Sequence, residues 1–306
     1  MTQHTKKPAI IPVAGGKGGI GKSIIAANIA VTLAAQGHDV VAMDLDLGAS
    51  NLHAILGIKN SEKNIINFAT NHHIALEDVV LPTRYSGTKI ICGAANIAGA
   101  ADISASQKLR IIHSIETLQC DYIILDLGAG SSFNVTDFFL TGEQGVIVVV
   151  PEITSLMDAY SFLKTTLYRR LQMEWQGEPD IRNLIEQFKN PKNEKQMQTT
   201  EDLLREVRRI NEQFEHEMRL QLQGYGVKVV VNKVRQKKDF QVVRTIQQLA
   251  LKNLNLSVYN AGYVPYDPSV EQSVNKMVPF VQAFPQSAAT YQMGQLAKSL
   301  TTYTAA

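Results

Sequence analysis

Residues 9–37 read AIIPVAGGKGGIGKSIIAANIAVTLAAQG, and the fold turns on this stretch. Its opening, AIIPVA (9–14), is a continuous apolar run closed by glycine, as expected of a strand covered on both faces in a parallel sheet. Its second half, SIIAANIAVTLAAQG (23–37), is rich in alanine with apolar residues at helical spacing, and Gly37 stands where a C-cap belongs. Between the two, Gly16, Gly21, Lys22 and Ser23 satisfy G-x-x-x-x-G-K-[ST]. A strand before this pattern and a helix after it give it a physical meaning. Glycines let the backbone curl so that successive N–H groups face phosphate oxygens, and the positive end of the helix adds to them. The expected cradle is Gly16, Gly18, Gly19, Ile20, Gly21, Lys22 and Ser23, with Ile24 following. Lys22 is placed to neutralise the β- and γ-phosphates of a nucleotide, and the Ser23 hydroxyl to ligate Mg²⁺.

Working outward, short apolar runs recur at DVVAMD (39–44), TKIICG (88–93), YIILD (122–126), GVIVVVP (145–151), VKVVVNKV (227–234) and LSVYNAGYVP (256–265). Helical patterns fall between them at 106–118 and 239–254. Strands alternating with helices predict an α/β fold: a doubly wound, mostly parallel sheet of the Rossmann-like three-layer kind, built as a single P-loop domain over 1–306. One region breaks the rhythm. From Tyr160 to Gln223 no strand-like run occurs, charges of both signs are dense, and Leu203, Val207, Ile210, Phe214 and Met218 recur at spacings of three and four. This predicts an amphipathic helical insertion over 160–223, with turns at QGEPD (176–180) and NPKNEK (190–195).

Composition sets few limits. A chain of 306 residues with 45 % hydrophobic content and 19 % charge is ordinary for a globular protein. A formal charge of +2 is too mild to argue for nucleic acid. Cys92 and Cys120 lie far apart with no CxxC or Cys/His cluster, which leaves no disulfide framework, zinc site or iron–sulfur site to build. No apolar run reaches signal-peptide length near the start, and none approaches the roughly 20 residues that span a bilayer. The expected location is cytoplasmic, with the inner face of the membrane open as a peripheral one.

A phosphate loop needs a second oxygen donor near its metal, conventionally at the end of a neighbouring strand. YIILDLGAG supplies Asp126 there, followed by small residues that suit a mobile loop beside the γ-phosphate. MDLDLGASNLH places Asp44 and Asp46 on the same carboxyl edge of the sheet. Paired acids there suit one residue to the Mg²⁺ shell, alongside Ser23 and Asp126, and the other to positioning the attacking water.

The extra lysine, Lys17 in KGGIGKS, resembles the deviant Walker A motif K-G-G-x-G-K-[ST] of the MinD/ParA family of P-loop ATPases. DLDLGASNL is similar to switch I of the MinD and FlhG (FleN) branch, and DLGAG to switch II. VVVPEITSLMDAY resembles the family's post-strand segment, and GYVPYDPSVEQSVNKMVPFV its base-pocket segment. The resemblance spans nearly the whole chain and implies ATP and Mg²⁺ as cofactors. It implies that Asn232 meets the adenine and that the backbone of the segment carrying Val264, Pro265 and Asp267 lines the base pocket. It further implies that Lys17 crosses to the phosphates of a second copy, so that Lys17, Lys22 and Asp46 act catalytically in an ATP-dependent homodimer, with Glu152 and Asp158 as contacts across it. The function so implied is a Mg²⁺-dependent ATPase switching between monomer and dimer, for spatial or numerical regulation of the flagellar or division-site kind.

Other readings stay open at this level. Nucleotide could act as a conformational ligand while the 160–223 helices capture a protein partner. A partition-type ATPase would use the basic runs YRR (168–170), REVRR (205–209) and KVRQKK (233–238) on DNA. A membrane surface is open as a partner, although the C-terminal YQMGQLAKSLTTYTAA lacks the bulky and basic residues of a strong surface helix. A kinase or ligase on the same fold would have no need of Lys17.

Overall fold

The computed structural model describes residues 7–59, 62–93, 103–143, 145–190 and 197–301. Among them the strands are β1 (Ala9–Ala14), β2 (Val40–Leu45), β3 (Val80–Pro82), β4 (Thr88–Ile91), β5 (Tyr122–Leu127), β6 (Val146–Val149), β7 (Gly226–Val234) and β8 (Ser257–Pro265). They form one sheet in the order β3-β4-β2-β5-β1-β6-β7-β8. All neighbouring pairs are parallel except β3 with β4. The expected doubly wound, mostly parallel sheet is therefore what the chain adopts. Every residue of β2 is buried, as is every residue of β6, which is why these strands read as unbroken apolar runs. The first crossover leaves β1 toward β2, while β6 lies on the other side of β1, so the order reverses at the central strand. Ligands of such sheets gather at the carboxyl ends beside that reversal.

Helices cover both faces. On one side lie α1 (Lys22–Ala35), α2 (Leu52–Ile55), α11 (Pro268–Asn275), α12 (Phe280–Ala283) and α13 (Ala288–Thr301). Ile25, Ile29, Leu33, Phe280, Met293 and Leu296 form the core there. On the other side lie α3 (Ile65–Thr70), α4 (Ala105–Ile115), α5 (Phe133–Phe139), α6 (Ile153–Glu174) and α10 (Gln241–Leu254). α7 (Pro179–Lys189), α8 (Thr200–Ile210) and α9 (Glu212–Gln223) extend the same side. α1 is buried around most of its circumference because it is wedged between sheet and α13, which accounts for its alanines.

The connection from β6 to β7 starts as α6, which opens at Ile153 and so begins before Tyr160. Phe162, Leu163 and Leu167 of α6, Trp175, and Ile181, Leu184 and Phe188 of α7 pack into the same core as the sheet. The turn expected at 176–180 falls between α6 and α7, with Pro179 in the first turn of α7. Most of the other, residues 191–195, lies outside the described residues. The 203–218 spacing runs across two helices. Asn211 ends α8 and caps α9, its side chain accepting from the N–H groups of Gln213 (2.8 Å) and Phe214 (3.4 Å). Leu203, Val207 and Met218 are buried, whereas Ile210, at the break, is exposed.

Candidate functional site

The loop between β1 and α1 closes over the carboxyl end of the central strand. Gly19 (φ 77°) and Gly21 (φ 92°) take the left-handed backbone that the curl demands and that a side chain resists. Lys22, first residue of α1, is only 7 % exposed, its stem buried beneath the loop. A β-carbon at Gly16 would overlap Asp158 of α6, and one at Gly21 would overlap the Asn232 amide. The loop therefore rests on α6 on one side and on the tip of β7 on the other. Gly130 N–H donates to Gly15 O (3.3 Å), bringing the DLGAG segment onto the same loop.

The register places Asp44 of β2 beside Asp126 of β5, and Asp126 beside Val13 of β1. Both aspartates are fully buried, and their carboxyl groups behave differently. Asp44 is engaged on both oxygens: Oδ1 accepts from Asp46 N–H (3.1 Å), and Oδ2 from the Ser50 hydroxyl (2.6 Å) and Leu52 N–H (3.1 Å). These bonds tie the 46–52 loop to the end of β2. Burial pushes the Asp44 carboxyl up to about 6 against those hydrogen bonds. Neither oxygen of Asp126 has a hydrogen-bond partner. Burial and then Asp44 hold its carboxyl well above the usual range, with Ser23 and Lys22 pulling the other way. A buried carboxylate left open beside a hydroxyl and an ammonium fits a cation, and the residues that would hold Mg²⁺ are Ser23 and Asp126. Among the described residues no group of three or more His, Cys, Asp or Glu surrounds one point. Mg²⁺ does not require one, since it keeps most of its waters and takes one or two protein oxygens plus phosphates.

Asp46 is half-buried, and its Oδ1 accepts from Ala49 N–H (3.1 Å). A β-carbon at Gly128 would stand 3.4 Å from that oxygen, so the DLDLG and DLGAG segments meet at Asp46. Lys17 is engaged at the start of α6. Its Nζ donates to Glu152 Oε2 (2.6 Å) and to Thr154 Oγ1 (3.1 Å). The Lys17 hydrogen bond and charge, joined by Lys233, keep the Glu152 carboxyl below its ordinary range.

A cleft of about 380 Å³ opens beside the loop, lined by Asn232, Pro265 and Asp267 together with Ile24 of the loop's helix. Asp267 also caps α11, accepting from Ser269 N–H (2.9 Å). The Val264 side chain is buried in the core on the α1 side, so what Val264 could offer a base is the backbone that the resemblance implies. Tyr266, Val270, Glu271, Val274 and Asn275 complete the wall, all within the segment whose resemblance implied a base pocket, and Lys233, read from the sequence only as part of a basic run, joins them. The signal for most of them was proximity to Pro265 and Asp267 on a helix whose cap, Asp267 with Pro268 behind it, is visible in the sequence.

Two of the three basic runs proposed for DNA are neutralised within the chain. Tyr168 is buried, while Arg169 pairs with Asp137 (2.5 Å) and Arg170 with Glu174 (2.7 Å). Arg205, Arg208 and Arg209 pair with Asp202, Glu212 and Glu206. In the third, Arg235 stacks on the Tyr266 ring (3.8 Å). Among the described residues no helix is long and apolar enough to cross a membrane.

A glycine loop on the central strand, a buried lysine at the helix start and an open aspartate on the adjacent strand are the architecture of the P-loop NTPases. The profile of the CobQ/CobB/MinD/ParA nucleotide binding domain matches residues 11–280, and the chain belongs to that family. It is a P-loop ATPase of the MinD/ParA type. The antiactivator FleN of Pseudomonas aeruginosa is 24 % identical over 293 residues, 95 % of this chain and 85 % of FleN. The flagellum site-determining protein YlxH of Helicobacter pylori is 33 % identical over 156 residues, 50 % of this chain and 52 % of YlxH. In fold, the cell division ATPase MinD of Pyrococcus furiosus superposes with a TM-score of 0.67 at 19 % identity, covering 95 % of this chain and 98 % of that one. MinD of Pyrococcus horikoshii, solved as a complex with Mg-ADP, gives 0.65 at 20 % identity, with 96 % of each chain covered.

Proposed function

We propose that this protein is a Mg²⁺-dependent ATPase that works as a switch: ATP joins two copies, and hydrolysis in the pair releases them. The observation that carries this reading is the division of labour between two lysines of one loop. Lys22 is buried beneath the cradle, beside Asp126 and Ser23, and accounts for the phosphates of its own site. Lys17 faces outward onto the start of α6, where Glu152 and Thr154 hold it. In the dimer Lys17 turns from these partners to the phosphates of the other copy, where a cation in a water-poor interface stabilises charge developing on the transferred group. Bound Mg²⁺ would supply Lewis-acid neutralisation of the β- and γ-oxygens. The loop N–H groups and Lys22 bind and orient the phosphates, and Asp46 holds the attacking water in line.

Light scattering on size-exclusion fractions, with ATP and with ADP, tests the reading. A dimer is expected with ATP alone, and specific activity should rise with protein concentration. The Lys17→Ala variant is expected to bind ATP, stay monomeric and lose turnover by about a hundredfold or more. Undiminished turnover in monomeric Lys17→Ala would remove the role in trans.

The likeness to FleN over nearly the whole chain favours flagellar number or placement over a division-site role. Deleting the gene in its own organism should then change flagellar number or position. Misplaced septa with normal flagella would move the function to the division site.

A further inference from the structure

Lys233 follows Asn232 at the tip of β7 and takes a left-handed backbone (φ 60°), a conformation that costs a lysine energy and that nothing in its own side chain relieves. The register of β7 against β8 slips between Val231 and Val234, which lifts the Asn232–Lys233 pair out of the ladder and aims both side chains at the phosphate loop. Asn232 Nδ2 donates to Ile20 O (2.8 Å), and Lys233 Nζ donates to Gly19 O (3.1 Å). Asn232 Oδ1 accepts from Lys233 N–H (2.9 Å), tying the two residues together.

The consequence follows from peptide geometry. In a planar trans peptide the C=O and the following N–H point in opposite directions. Both peptide bonds here are trans. Holding Gly19 C=O toward β7 turns Ile20 N–H to the far side, and holding Ile20 C=O does the same for Gly21 N–H. These two N–H groups belong to the crown of the cradle, flanked by two glycines whose backbones have the widest conformational freedom. We propose that Lys233 is a positioning residue which, with Asn232, clamps the Gly19 and Ile20 carbonyls outward and so presets the Ile20 and Gly21 N–H groups toward the phosphates. Strain at Lys233 persists because the clamp requires a cation at that point of the strand. The clamp also links two halves of the site: the strand tip that lines the base cleft fixes the amides that meet the phosphates.

This inference rests on the reading of residues 15–23 as a phosphate cradle, and the test separates the two. Lys233→Gly relieves the backbone and removes the ammonium, whereas Lys233→Arg keeps a cation. Three quantities are compared with the parent chain: the unfolding temperature without nucleotide, the affinity for ADP in Mg²⁺ by calorimetry, and ¹⁵N order parameters of the Ile20 and Gly21 amides without nucleotide. Lys233→Gly is expected to unfold at the same temperature or higher, to show lower order parameters at both amides, and to bind ADP about tenfold more weakly. Lys233→Arg should restore most of the affinity. Parent-like ADP affinity in Lys233→Gly overturns the clamp. So does weaker binding with unchanged order parameters, which would make Lys233 a direct charge on the phosphate. A parent chain that binds no ADP would instead refute the cradle itself, and the order parameters would still report on the clamp.

Discussion

At the scale of single residues, Asp126 and Asp44 are neighbours in register with different surroundings. Asp126 is buried without a partner, and a buried carboxylate in that position costs stability that function must recover on binding. Asp126→Asn is expected to raise the stability of the nucleotide-free protein by about 1 kcal/mol at neutral pH, by urea unfolding, and to cut Mg²⁺-dependent turnover about a hundredfold or more. The sign with pH is fixed by the raised carboxyl. Its penalty is full where the folded group is ionised and fades as protons bind, so the advantage of the variant should shrink as the solution is acidified. The loop that carries Lys22 and Ser23 and the strand end that carries Asp126 were legible because spacing and flanks fix where they fall. The surroundings of Asp44 were not, since the letters DLDLG are the same whether its oxygens face a metal or Ser50 and Leu52. Lys233 was hidden for another reason: a lysine near a strand end reads as a solvated charge until the backbone dihedral and the register slip are known.

Between elements, the joint behind the DLGAG segment is ionic. Asp137 of α5 is 5 % exposed and takes Arg169 of α6 on both oxygens (2.5 and 3.0 Å), with Lys108 of α4 on one of them. Burial by itself would raise the Asp137 carboxyl, yet the Arg169 and Lys108 bonds outweigh it and hold the group below 3.8. Asp137→Asn leaves two cations without their partner and should cost about 3 kcal/mol in urea unfolding near pH 7. Because the folded carboxyl is depressed, that difference should be constant above about pH 5 and collapse as the pH falls through 3.8 toward the folded value. Lys108 and Asp137 were not singled out from the sequence, and Arg169 only within the basic run 168–170, since the three are distant in the chain and only packing of α4, α5 and α6 unites them. The long strands were legible because burial on both faces leaves an unbroken apolar run. β3 was not, with only three residues, nor was the break at Asn211, whose apolar neighbours keep helical spacing through the cap.

Across the whole molecule, one sheet divides two cores, and the helices that follow β6 are built into one of them. Phe188 of α7 is 2 % exposed and meets Tyr168 of α6 edge to face (ring centroids 5.0 Å). Phe188→Ala should therefore cost about 3–5 kcal/mol and lower the midpoint of a single unfolding transition shared by far-UV and near-UV signals. A separate early transition would mark α7–α9 as an independent unit. The margins of the sheet carry a different message. β3 at one edge is short and contains Pro82, which has no N–H to give. At the other, β8 is broken by Gly262 (φ 141°) and a register shift, and α13 lies over it, Ser299 Oγ donating to Ala261 O (2.8 Å). Neither margin presents the straight ladder along which strands of separate chains could zip. Stray pairing of separate chains along either edge is therefore disfavoured.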